Sequence, residues 1–273
     1  MFSFIKESFA LTNRNIILAT PLIFFSLISN LYILFSLGGS LVSLLIAFSL
    51  FILMVGAFIS GWGYMLKLCV SDNEHEDASS LIKEFPAGVG EYFLPVLGSM
   101  LIIFVISSLI FAVTFFTGMK LIGDVGIPPE ALNGMLASST ALKDFVTSLS
   151  DEQLLKLNAW NLLLLAGMIV EYFVVLFYFP ALFFKSKNPL KALVFSLKDL
   201  FSRKFLNNLL LYIILFVSYF VLSLLTMFSG MNVFTHFIFT LANFYYMVFA
   251  AVLISNYYYK NFVKIGGNLD KTV

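Results

Sequence analysis

Glu171 is the ionisable residue set deepest in an apolar segment. It stands within Trp160 to Lys185, WNLLLLAGMIVEYFVVLFYFPALFFK, with roughly 20 Å of helix on either side at 1.5 Å rise per residue. A bare charge at that depth is costly, so the carboxyl is expected to be neutral, paired or beside water. No Lys or Arg reaches the same depth, which favours a protonated acid donating a hydrogen bond. Polar partners are few: Asn243 lies near the middle of the sixth apolar run, while Asn30 and His236 lie nearer one end of theirs. On its own helix, Gly167 one turn back and Tyr178 two turns on share a face with Glu171, and the glycine would let another helix approach closely. Glu171, Asn243 and Tyr178 are therefore the candidate intramembrane polar site. Two uses suit it: a hydrogen bond pinning two helices, with Asn243 as partner, or a proton- or cation-linked site in a transport path.

Other chemistry-bearing residues point elsewhere. Asp72, Glu74, His75, Glu76 and Asp77 crowd one stretch, but their spacing dedicates them to no single face, so a solvated helix start is expected in place of a metal site. Ser71 with Glu74, and Ser150 with Gln153, read as capping boxes. Ser138, Ser139 and Thr140 have no base beside them and read as caps. The sequence has no phosphate-binding glycine loop, HExxH or GxSxG, and its two histidines, His75 and His236, fall at opposite ends of spans. No catalytic residue, cofactor or metal is expected. The basic segment 185–204 offers Lys185, Lys187, Lys191, Arg203 and Lys204 as candidate contacts for anionic lipid headgroups.

The elements that position these residues follow from composition. The chain of 273 residues is 60% apolar and 11% charged, with a mean hydropathy of +0.98. Soluble domains carry about 25% charged residues, so the solvent of this chain is a bilayer. A net charge of +1 points to neither nucleic acid nor an acidic partner, and Cys69 alone supports no internal disulfide. Six spans are expected, at about 15–37, 41–70, 91–117, 160–185, 205–228 and 233–259, giving an all-α polytopic membrane bundle. Lys6, Glu7 and Arg14 precede the first run with no small-residue cleavage site behind it, so that span is expected to remain as a signal anchor. Gly56, Ser60, Gly61 and Gly63 suit close helix packing. Short amphipathic interfacial helices are expected at 2–11 and 186–204, the latter with Leu190, Leu193, Val194 and Leu197 on one side. Residues 119–157 form a polar insertion of short helices opening near Pro128-Pro129-Glu130, with Leu142, Phe145, Val146 and Leu149 as a docked face.

Charge sorts the ends of the spans. All of the 16 Lys and Arg residues except Lys120, Lys143 and Lys156 fall on one side, which the positive-inside rule makes cytoplasmic, with both termini. The insertion is then external. Trp62, Tyr92, Tyr257, Tyr258 and Tyr259 would mark the inner interface and Trp160 the outer one.

The short segments also recur. Ile5-Lys6-Glu7, Ile82-Lys83-Glu84 and Leu197-Lys198-Asp199 each precede an outward span, and each hairpin returns to a lysine: Lys67, Lys185 and Lys260. The first and third units match in length, and the middle one is longer by about the size of the insertion. Three parallel units are read: 1–70, 71–187 with the insertion 119–157, and 188–260, followed by a tail at 261–273. The stretches SGWGYMLKLCV, SSLIKEF and PALFFKSKNPLKALVFSLKDLFSRKFLNNLLL resemble an uncharacterised family of prokaryotic six-span membrane proteins, akin to the membrane domain of some glycerophosphodiester phosphodiesterases. The resemblance puts that family's Ala and Ser pattern on Ala192 and Ser196 and implies no activity; the soluble phosphodiesterase domain is absent. The sequence therefore predicts a non-enzymatic accessory or scaffold protein of a prokaryotic plasma membrane. It would contact membrane lipid and a membrane-protein partner or a second copy of itself. The other reading is a small-solute or ion transporter using Glu171.

Overall fold

Hydrocarbon offers no partner for backbone N–H and C=O groups, so apolar runs this long must satisfy them internally as helices. The computed structural model describes residues 1–36, 41–71, 78–127, 145, 147–228 and 232–264, and among them there is no strand. Helices α1 (Phe2–Arg14), α2 (Ala19–Ser36), α3 (Leu41–Ser71), α4 (Ala78–Lys83) and α5 (Phe85–Leu121) are followed by α6 (Asp151–Val175), α7 (Tyr178–Phe184), α8 (Pro189–Leu200), α9 (Phe205–Phe228) and α10 (Val233–Tyr258). Among the described residues six segments are long and apolar enough to cross a membrane: Ile16–Ile33, Val42–Ser71, Phe85–Leu121, Asp151–Phe184, Phe205–Met227 and Val233–Val263. The chain is an all-α polytopic bundle.

Local chemistry corrects several expected boundaries. The third spanning helix starts at Phe85, not near residue 91, and runs through Pro95. Ser71 is no N-cap: its hydroxyl donates to the Lys67 carbonyl at 2.8 Å and closes α3. The Ser150–Gln153 capping box does form, with Ser150 N donating to Gln153 Oε1 at 3.0 Å and Gln153 N to Ser150 Oγ at 3.3 Å. What it opens is the fourth spanning helix itself, not a short helix of the insertion. That span then breaks at Leu176–Phe177. Pro180 has no N–H to give the carbonyl four residues earlier, so the ladder lapses there and restarts as α7. The acidic cluster 72–77, the turn 38–40, residues 128–144 and 146 of the insertion with Leu142 and Val146 of its docked face, and the tail from 265 lie outside the described residues.

The chain divides into two compact units, Met1–Ile102 with Val174–Val273, and Ile103–Phe173. In the first, α1 packs on α10, α8 on α7 and α4 on α3, while α3, α7 and α10 meet one another. Its apolar core includes Leu18, Leu22, Met65, Leu66, Leu81, Val248 and Val252. The second is the lower-hydropathy arm of α6 laid against α5. Gly118 leaves room for the Trp160 ring, and Gly167 for the Thr114 side chain. Beyond α5, Gly123 takes a φ of +78°, a backbone region open to glycine. There its carbonyl accepts from Trp160 Nε1 at 3.0 Å, tying the loop to α6.

Candidate functional site

In the second unit, Ser107 of α5 is the hydrogen-bond partner of Glu171, with Ser107 Oγ 2.5 Å from Glu171 Oε1. The same hydroxyl lies 2.9 Å from the Ile103 carbonyl. A hydroxyl carries one proton, so it cannot donate to both acceptors. Ser107 is thus placed to give its one proton either to the Glu171 carboxyl, tying α5 to α6, or to the carbonyl of its own helix. An apolar groove of about 370 Å³ adjoins the pair, lined by residues such as Leu109, Val113, Leu163 and Val170. Its polar side chains are the hydroxyls of Thr114 and Thr117, and the rest of the lining is apolar.

Asn243 and Tyr178, expected beside Glu171, are each engaged elsewhere. Asn243 Nδ2 donates to Thr226 Oγ1 and to the Phe239 carbonyl, both at 2.9 Å. Tyr178 is fully buried and its hydroxyl donates to the Pro189 carbonyl at 3.2 Å. The Leu176–Phe177 break interrupts the helical face it was expected to share with Glu171. The correction has one physical cause. Adjacent arms of a hairpin meet at matching depth, so each of these half-buried polar groups finds its partner in its own hairpin: Ser107 for Glu171, Thr226 for Asn243. Sequence reasoning passed over Ser107 because a lone serine in a span usually bonds its own helix; pairing depths across the α5–α6 hairpin would have found it.

In the first unit a polar cluster forms where the end of α8 meets the end of α10 and the lysine that follows α7. Asp199 Oδ2 accepts from Lys185 Nζ at 2.7 Å and from the Tyr258 hydroxyl at 2.6 Å. Asn208, wholly buried, donates to the carbonyls of Asp199 and Leu200 at 3.0 and 2.8 Å and accepts from the Tyr257 hydroxyl at 2.9 Å. It thereby satisfies carbonyls that the end of α8 leaves open. Glu7 of α1 pairs with Lys260, and Asn256 donates to Ser8 at 3.2 Å, closing α1 onto α10. Lys67 donates to the Tyr92 hydroxyl at 2.8 Å, and Lys187 pairs with Glu91 at 2.8 Å. Two of the candidate lipid contacts are thus turned inward. Lys185 is held by Asp199 among the rings of Phe195, Tyr258 and Phe262, and Lys204 donates to Asn261 Oδ1 at 2.7 Å. Lys191 and Arg203 stay exposed, as does Lys198, and Lys187 is exposed beside its partner Glu91.

The short helices invert the soluble pattern. α1 buries Ser8 and Thr12 against the bundle and exposes Phe2 and Phe9; α8 buries Ala192, Ser196 and Asp199, with Leu200 at its end, and exposes Leu190 and Val194. Small and polar side chains permit close docking inward while large apolar ones face outward, as hydrocarbon and headgroups require. Comparisons with family models, with curated proteins and with solved structures each find no match to this chain.

Proposed function

We propose that this chain is a non-enzymatic scaffold or accessory protein of a prokaryotic plasma membrane, with both termini cytoplasmic, that holds membrane lipid and a membrane partner at its basic end. The observation that carries the reading is the outward face of the docked short helices. Phe2, Phe9, Leu190 and Val194 stand exposed on elements whose inward sides are locked by Asp199, Asn208 and Glu7. Lys191, Lys198 and Arg203 share that exposure and supply the charge that anionic headgroups attract. The same reading takes the chain as three units, 1–70, 71–187 and 188–260. It is supported by each short helix packing on the return span of the preceding unit, with α1 on α10 closing the ring.

Transport is the weaker reading, because Glu171 is held by Ser107 beside an apolar groove. Proteoliposomes with an imposed proton gradient separate the two. The scaffold reading expects the wild-type chain and Glu171→Gln to hold the gradient as well as protein-free vesicles do. A leak that wild type shows and Glu171→Gln abolishes would overturn it.

A further inference from the structure

A second apolar space lies among the three return spans. It has a volume of about 300 Å³ and is walled by Phe58 and Trp62 of α3, Phe179 and Phe183 of α7, and Ala251 and Ile254 of α10. The Trp62 indole N–H is already used on the Leu18 carbonyl at 2.9 Å, which leaves Ser255 as the one side-chain polar group among the lining residues. Ligand pockets begin at about this size, and apolar cavities do not retain water. In a membrane the solvent at hand for such a space is hydrocarbon.

One turn beyond Gly63, and next to Leu66, both of which line the space, comes Lys67. Its hydrogen bond goes to the neutral Tyr92 phenol, whose ring packs on Phe183 at 4.8 Å between centroids. Lys185 and Lys260, the matching lysines of the other return spans, each have a carboxylate, Asp199 and Glu7. Among the described residues Lys67 has no carboxylate in ion-pair contact; Glu91, paired with Lys187, acts on it from farther away. An ammonium has three protons to donate, so Lys67 keeps capacity for an anion at the edge of the apolar space.

We infer that the space between α3, α7 and α10 is a lipid site, taking one acyl chain of an anionic phospholipid with its phosphate at Lys67. The inference shares with the proposed function the premise that lipid is a ligand, but it uses none of the outward-facing residues. The two therefore fail separately: Lys67→Gln and Ala251→Phe test this site, and charge removal at Lys191, Lys198 and Arg203 tests the outer face.

The chain's two tryptophans make the test direct. With Trp160→Phe in place, Trp62 alone reports, and brominated acyl chains quench it on contact. Brominated phosphatidylglycerol is expected to quench in a saturable way at low mole fraction, and brominated phosphatidylcholine only in proportion to its amount. Lys67→Gln should raise the half-saturating mole fraction severalfold, and Ala251→Phe, which fills the space, should remove the saturable part. Native mass spectrometry of the unmutated chain supplies an independent readout, with one phosphatidylglycerol retained in preference to phosphatidylcholine. Equal, non-saturating quenching by both lipids, or saturation unmoved by Ala251→Phe, would overturn the inference.

Discussion

At the scale of single residues, the half-buried Glu171 carboxyl is tied to the facing helix by the Ser107 hydroxyl. Interhelical hydrogen bonds in membranes contribute about 0.6 kcal/mol on average and up to about 1.7. A double-mutant cycle with Glu171→Ala and Ser107→Ala, followed by unfolding in mixed micelles, should return a coupling within that range. Glu171→Gln should retain most of the stability, since its amide oxygen can accept from Ser107 as the carboxyl does. The anomaly was legible in the sequence because one ionisable residue amid twenty-odd apolar ones is a strong signal. Its partner was not, because serines recur along these spans and only the depth of the opposing helix picks out Ser107.

Helices and their caps carry the next level. The six spans were legible because length and hydropathy act over many residues and average out local exceptions. The break at Leu176–Phe177 was not drawn from Pro180, although the missing N–H accounts for it. The Ser150–Gln153 box was read as a helix start, but sequence alone did not show that this helix continues into the membrane. Close packing gives a sharp expectation here. A methyl at Gly118 would overlap the Trp160 ring, so Gly118→Ala should lower stability by about 1–3 kcal/mol, with Gly123→Ala also unfavourable through its positive φ. Asp199 is the more consequential position. Asp199→Ala leaves the largely buried Lys185 ammonium unpaired and frees Tyr258, and should cost about 3 kcal/mol, the low end for a broken buried pair because both side chains keep some exposure. Unfolding that resembles wild type in that variant would show the cluster to be a surface feature.

For the whole molecule, the lysines sort into two roles that sequence counted as one. Lys185 and Lys204 serve the interior, through Asp199 and Asn261, whereas Lys191, Lys198 and Arg203 remain at the surface. The recurring Lys and acid pattern was visible as spacing, but which acid meets which lysine depends on the ring of packed return spans. There Glu7 reaches Lys260 from the far end of the chain. The exposed basic and apolar face of the short helices is expected to recruit anionic lipid, and boundary-lipid selectivity measures that recruitment. Spin-labelled phosphatidylglycerol and phosphatidylcholine are compared at the surface of the reconstituted protein. The account predicts a severalfold preference for phosphatidylglycerol that weakens with salt, because each exposed cation near a membrane surface contributes about 1 kcal/mol and is screened. The preference should vanish when Lys191, Lys198 and Arg203 are all changed to Gln. Equal association of the two lipids with the wild-type chain at low salt would contradict it.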